Sequence, residues 1–119
     1  MFVVDTDNKK ITLHKGDTGT APFRFTGFVL EGNVRVLWTM KNRRGELIME
    51  RIYTPVDNEF SVEFVNSDTD TLPAGTYYYD ARVVIDPVFD DQGHIVDGEY
   101  VNTPASPLQV EILDTVGEV

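Results

Sequence analysis

The chain has 119 residues, a length that suits one domain with a single packed core, and we therefore expect residues 1–119 to form a single domain. It contains no cysteine, which excludes disulfides, thiolate metal sites and cysteine nucleophiles. Twenty acidic and ten basic residues give a net charge of −10, and residues 61–119 hold twelve of the acids but only one base, Arg82. A phosphate backbone would be repelled by that half, so nucleic-acid binding is disfavoured.

Short segments in which apolar and polar residues alternate recur along the chain, separated by clusters of Gly, Asn, Asp and Pro. No segment shows a helical period, so the pattern predicts an all-β fold. The predicted strands are 10–15, 20–28, 33–41, 46–53, 59–65, 76–86 and 107–114. About seven strands are typical of an immunoglobulin-like antiparallel β-sandwich.

The alternation also predicts which side chains face the core, because successive residues of a strand point to opposite sides of a sheet. Segment 46–53 is ambiguous, since Leu47 and Met49 compete with Ile48 and Ile52, and this predicts a bulge or an edge strand there. The predicted core residues of the other strands are Phe23, Phe25, Val34, Val36, Trp38, Met40, Phe60, Val62, Phe64, Leu108, Val110 and Ile112.

Turn residues predict the connections between strands. The sequence 42–45, Asn-Arg-Arg-Gly, is typical of a tight hairpin. The section 87–103 is longer and polar, with a predicted tip at 91–93 and a small secondary hairpin turning at Asp97-Gly98. Residues 2–4 are compatible with an extra edge strand or with an arm that reaches a neighbouring molecule.

The segment Leu72-Pro73-Ala74-Gly75-Thr76-Tyr77 stands at the entrance to the sixth predicted strand. In immunoglobulin domains a tyrosine two residues before the second cysteine closes this corner by bonding to backbone upstream. Tyr77 has that position, Tyr79 stands where the cysteine would be, and Trp38 stands where the core tryptophan would be. The spacing predicts a tyrosine corner in a sandwich that lacks the disulfide.

No arrangement of residues in the sequence is typical of an enzyme. His14 and His94 lack metal-ligand spacing, and no Gly-rich phosphate loop, GxSxG elbow or HExxH helix is present. We therefore predict a protein without catalytic residues, metal or cofactor. One alternative stays open, because Asp86, Asp90 and Asp91 crowd one loop, and clustered carboxylates suit Ca²⁺.

A contact surface is predicted on the outward face of the third, sixth and seventh strands. If these strands pair in that order, apolar residues stand beside charged ones where water is expected, which is typical of a protein interface. The candidate interface residues are Arg35, Leu37, Tyr78, Arg82, Val84 and Leu113.

Four segments, ITLHKGDTGTAPFRFTG, VRVLWTMKNRRGELI, LPAGTYYYDARVVI and SPLQVEIL, together resemble the immunoglobulin-like domains of phage baseplate upper proteins and related tail or fibre components. The similarity covers about residues 10–114 and lies in the early Lys15-Gly16-Asp17-Thr18, in Gly45 and in the corner at 72–79. The section 87–103 is longer than the hairpin usual in that family. The resemblance implies an architectural role and transfers no catalytic residue.

The leading hypothesis from the sequence is a structural or assembly protein of a phage or prophage virion, whose partners are other tail proteins or further copies of itself. The acidic and basic residues that follow residues 1–4 leave neither a secretory signal nor a spanning helix, which predicts synthesis in a bacterial cytoplasm and no membrane contact. The alternative is a carbohydrate-binding or adhesion module. Its candidate sugar-stacking residues are Tyr53, Tyr78, Phe89 and Tyr100.

Overall fold

A computed structural model describes residues 2–5, 9–25, 29–101 and 108–114 of the chain. This part of the chain forms nine strands and one helical turn. They are β1 (Phe2–Asp5), β2 (Lys10–His14), β3 (Gly19–Arg24), β4 (Val34–Lys41), β5 (Leu47–Tyr53), β6 (Glu59–Phe64), α1 (Asn66–Thr69), β7 (Gly75–Phe89), β8 (Ile95–Val101) and β9 (Leu108–Leu113).

The strands form two sheets that pack face to face. The larger has the order β1-β2-β9-β7-β4-β5, with β8 also paired to β7, and the smaller consists of β3 and β6. The predicted immunoglobulin-like β-sandwich is confirmed, with two corrections. The described residues form nine strands instead of seven, and the larger sheet is mixed because β2 and β9 run parallel.

Each predicted strand corresponds to an observed one, and the two additional strands are β1 and β8. Residues 2–4 belong to an edge strand, because β1 pairs with β2. Residues 26–28 and 107, at the ends of two predicted strands, lie outside the described part of the chain. The prediction of a secondary hairpin that turns at Asp97-Gly98 is wrong. Residues 95–101 form one strand, which pairs with the second half of β7.

The core forms as the alternation predicts. Val36, Trp38 and Met40 of β4 are fully buried, as is Val62 of the facing sheet. Phe23, Phe25 and Leu108 are partly buried and pack against this cluster. The predicted faces of β3, β4, β6 and β9 are therefore confirmed.

Aromatic rings join the two sheets at the centre of the core. The Trp38 ring lies 5.9 Å from the Phe64 ring of the smaller sheet and 5.7 Å from the Tyr79 ring of its own sheet, between centroids. The Tyr79 hydroxyl donates to the Lys9 carbonyl over 2.6 Å. Aromatic packing thus occupies the place where an immunoglobulin domain has its disulfide.

The tyrosine corner is also confirmed. The Tyr77 hydroxyl donates to the backbone carbonyl of Pro73 over 2.7 Å, four residues upstream. Gly75 has a φ of 145°, which a residue with a side chain rarely adopts. This contact fixes the direction in which the chain enters β7.

The ambiguous strand β5 has both features that its pattern predicted. It lies at the edge of the larger sheet, and the register slips between Met40 and Lys41, which pair with Met49 and Leu47. Ile48 is the extra residue of this bulge, so it can pack against the core together with Met49. The hairpin at 42–45 is confirmed by the bond from the Gly45 amide to the Asn42 carbonyl.

Candidate interaction surface

The predicted contact surface lies on the face of the larger sheet that points away from the core. Strands β4, β7 and β9 do pair in the predicted order. Leu37 stands opposite Arg82, and Arg35 stands opposite Val84. The side chains of Arg35, Leu37, Arg82 and Val84 therefore lie on one face of the sheet, as predicted.

The expectation that Val84 is exposed is wrong. Val84 has no exposed surface, although it lies on the outward face. It is flanked in register by Arg35 on one side and Tyr100 on the other, and the backbone at Gly98 comes so close that a Cβ there would lie 2.7 Å from Val84 Cγ1. The chain's own β7–β8 hairpin covers this part of the face.

The rest of the predicted face is largely occupied by contacts within the sheet. Leu37, Tyr78 and Leu113 are half-buried, while Arg82 is exposed. Hydrogen bonds between polar side chains run across the same face, including the bond of 2.5 Å from Thr39 Oγ1 to the Asp80 carboxylate. None of the three apolar residues is among the exposed large hydrophobic residues of the described chain.

Exposed apolar side chains are concentrated elsewhere, on the hairpin that β7 and β8 form. We call residues 86–101 the arm. Of the ten large hydrophobic residues that are exposed in the described chain, the arm carries five. These are Val88, Phe89, Val96, Tyr100 and Val101, exposed by 51%, 39%, 59%, 41% and 37%.

The outer part of the arm, residues 86–97, extends beyond the sheet, whereas Glu99, Tyr100 and Val101 pair with β7 within it. The pairing of β4 with β7 ends at Val34 and Ile85, so among the described strands only β8 accompanies β7 from Asp86 onward. The molecule measures 51 Å in its longest dimension and 23 Å in its shortest. An isolated two-stranded ribbon is only marginally stable in water, so partner contacts would stabilise the arm.

Local interactions determine the bend and the tip of the arm. At its base the ladder slips between Ile85 and Val88, Asp86 adopts a φ of 50°, and its amide donates to the Asn33 carbonyl over 2.8 Å. At the tip Asp90 Oδ1 accepts the amides of Gln92 and His94, both over 2.9 Å. The bond from the His94 amide is the main reason that the pKa of Asp90 lies below its usual value. The predicted tip at 91–93 is confirmed.

The arm is strongly acidic. It contains Asp86, Asp90, Asp91, Asp97 and Glu99, and neither lysine nor arginine occurs between residues 83 and 101. The Arg35 guanidinium lies 5.7 Å from the centre of the Phe89 ring. Apolar and negatively charged side chains are therefore presented together.

The calcium hypothesis finds no support in the positions of these carboxylates. Within the described ranges, no group of three or more His, Cys, Asp or Glu side chains is placed to hold a metal ion. The Asp90 carboxylate is already engaged by backbone amides of the tip.

The four aromatic residues of the carbohydrate hypothesis do not form one platform. Tyr53 packs against the core, with its ring 5.7 Å from that of Phe60, and burial raises the pKa of its hydroxyl. Phe89 is covered on one face by Arg35. Tyr78 is half-buried, whereas Tyr100 is exposed.

The Lys15-Gly16-Asp17-Thr18 motif has a structural role. Gly16 has a φ of 79°, and its amide donates to Oγ1 of the fully buried Thr69 over 2.9 Å. The Asn66 side chain donates to the Gly16 carbonyl over 3.0 Å. These bonds attach the turn after β2 to α1.

The sequence did contain an indication of the arm. Ile95-Val96 and Tyr100-Val101 have strand-forming residues, but Asp97-Gly98 between them is typical of a turn. Gly98 instead allows the close approach to Val84 and Pro87, which is the other common use of a glycine within a strand. Pro87 stands where the ladder slips, a position that proline tolerates.

Comparisons of the chain with family models, curated proteins and solved structures find no match. In the described part of the chain, no helix is both long and apolar enough to cross a membrane.

Proposed function

We propose that this protein is a non-catalytic assembly component that acts through protein–protein contacts of its arm, in the tail, baseplate or fibre of a phage or prophage virion. One observation carries the proposal: the arm holds five of the ten exposed large hydrophobic residues in the described chain, and three of these five, Val88, Phe89 and Val96, lie beyond the last pair of β4 with β7. Exposed apolar residues that are gathered on one element mark interaction sites in soluble proteins.

The virion setting is supported by the resemblance described above. The lack of a catalytic arrangement in the sequence favours an architectural role over an enzymatic one.

Particles purified from a culture that encodes the chain test the proposal. The wild-type chain should be detected in them by mass spectrometry. The double variant Val88→Asp/Val96→Asp adds two charges to the arm and should be lost from the particles while staying folded. The matched control Val56→Asp/Val65→Asp adds the same charge at positions that are also exposed, by 68% and 50%, and should be retained.

Two outcomes would refute the proposal. One is the absence of the wild-type chain from the particles. The other is incorporation of the arm variant at the level of the control, which would show that the arm makes no contact needed for assembly.

A further inference from the structure

A second surface lies at the opposite end of the sandwich, between the β4–β5 hairpin and the tyrosine corner. It is an open groove of about 430 Å³, within the range typical of binding pockets. Ile48, Leu72 and Tyr77 supply apolar surface, and Pro73 adds to it. Arg43 and Arg44 stand on the rim, and both are exposed.

The rim of the groove is positively charged. Arg43 and Arg44 are adjacent in the loop between β4 and β5, residues 42–46, which contains one acid, Glu46. The ion pair between Arg44 and Glu46 is long, 3.8 Å, and both side chains are more than half exposed, so it contributes little. The arginine side chains are therefore available to an acidic partner.

The arm and the groove are complementary in chemistry. The arm combines exposed apolar residues with five carboxylates and carries no lysine or arginine, whereas the groove combines an apolar floor with a basic rim. Complementary charge around an apolar contact guides association and disfavours other partners. An arm of this composition fits the groove of another copy.

The two surfaces of one molecule cannot meet each other. The arm leaves β7 where Val34 pairs with Ile85, and the groove begins beyond the pair of Lys41 and Tyr78. These pairs lie at opposite ends of β4, about 23 Å apart at the usual rise per residue. Any contact between arm and groove is therefore between molecules.

We infer that copies of this chain associate head to tail, with the arm of one copy docked in the groove of the next. Such docking presupposes the arm's role as a contact surface proposed above and names its partner. A contact between two different surfaces does not end at a dimer, because each added copy presents a new arm and a new groove, and the product is a ring or a filament.

Sedimentation of the purified chain, over about 1 μM to about 1 mM, tests the inference. The wild-type chain should form species larger than dimers, and these should weaken as salt is raised. The arm variant Val88→Asp/Val96→Asp and the groove variant Arg43→Glu/Arg44→Glu should each weaken self-association at least about tenfold. Lys9→Glu/Arg24→Glu makes the same charge change as the groove variant at other exposed positions and should assemble like the wild type.

A mixture of the arm variant and the groove variant tests directly whether the arm of one copy binds the groove of another. The arm variant keeps an intact groove and the groove variant keeps an intact arm, so the mixture should form a dimer with one copy of each and nothing larger. A mixture that stays monomeric while the wild type assembles would overturn the inference. A wild-type dimer that does not grow with concentration would overturn it as well.

The test separates this inference from the proposed function. If the wild-type chain remains monomeric at every concentration but still enters particles in an arm-dependent way, the second copy is the wrong partner and the proposed function stands. If the arm variant enters particles like its control, the proposed function fails whatever the sedimentation shows.

Discussion

Trp38 is the residue on which the packing of the two sheets depends most. It is fully buried and contacts aromatic rings of both sheets. Its indole Nε1 has no hydrogen-bond partner among the described residues, so its contribution to stability comes from packing and apolar burial.

Replacing Trp38 should be strongly destabilising. We expect Trp38→Ala to lower the free energy of unfolding by about 3–5 kcal/mol, because it removes a large side chain and leaves a cavity. Denaturant unfolding measures the change. Val56→Ala, at a site exposed by 68%, serves as the control and should change stability by less than about 0.5 kcal/mol. A loss below about 1 kcal/mol for Trp38→Ala would contradict the assignment of this residue to the core.

The arm is the element whose geometry depends on a single glycine. Gly98 has a φ of 145°, and a Cβ there would lie 2.7 Å from Val84 Cγ1 and 3.2 Å from the Pro87 backbone. The Pro87 Cα is a backbone atom, so it cannot move away from an added Cβ as the end of a flexible side chain could. This position therefore determines how closely β8 approaches the bulge in β7.

Gly98→Ala should accordingly destabilise the protein by about 2 kcal/mol or more, through backbone strain and a steric clash. Amide hydrogen exchange in the arm should become faster than in β4. Gly75→Ala separates the two causes, because Gly75 has the same φ, 145°, but open space around it. Equal effects of the two substitutions would show that the close approach at Gly98 does not matter.

The same element shows what a sequence pattern can and cannot predict. Alternation identified the buried face of β4 and of β6, because one side of each strand packs against a core. It could not predict that Val84, on the outward face, is buried, since that follows from the bend of a hairpin whose ladder slips beside Pro87. At Asp97-Gly98, pairing with β7 outweighs the preference of these two residues for a turn. For this reason the sequence pattern did not predict β8 or the arm.

At the scale of the whole molecule, the acidic arm and the arginines of the β4–β5 hairpin lie at opposite ends of β4. The acids of residues 86–99 lie at the arm, and Arg43 and Arg44 lie on the groove. The sequence predicted a contact surface of mixed apolar and charged character. It placed that surface on the outward face of β4, β7 and β9, and it did not predict the acidic arm and the basic hairpin, because their positions at opposite ends of β4 follow from the topology.

Alkaline pH should destabilise the whole sandwich. Burial raises the pKa values of Tyr53, Tyr77 and Tyr79 above the ordinary value of 10.0. The unfolded chain therefore loses these protons at a lower pH than the folded one. The stability that the neutral hydroxyls contribute is complete below pH 10 and is lost as the pH rises toward the folded-state values.

Unfolding free energies measured from pH 8 to pH 11 check this expectation, since each raised tyrosine contributes a slope of up to about 1.4 kcal/mol per pH unit. Tyr79→Phe should reduce the slope, because it removes one of the buried hydroxyls. Stability that stays constant up to pH 11 would contradict the burial of these side chains.

The contact made by the arm can be observed directly by placing a photo-crosslinking amino acid at Val88 and, as the control, at Val56, and irradiating purified particles. Both positions are exposed in the chain itself, by 51% and 68%. We expect a covalent adduct to a second protein, or to a second copy of the chain, from position 88 and none from position 56. Adducts from position 56 alone, or none from position 88 in particles that contain the chain, would contradict this expectation.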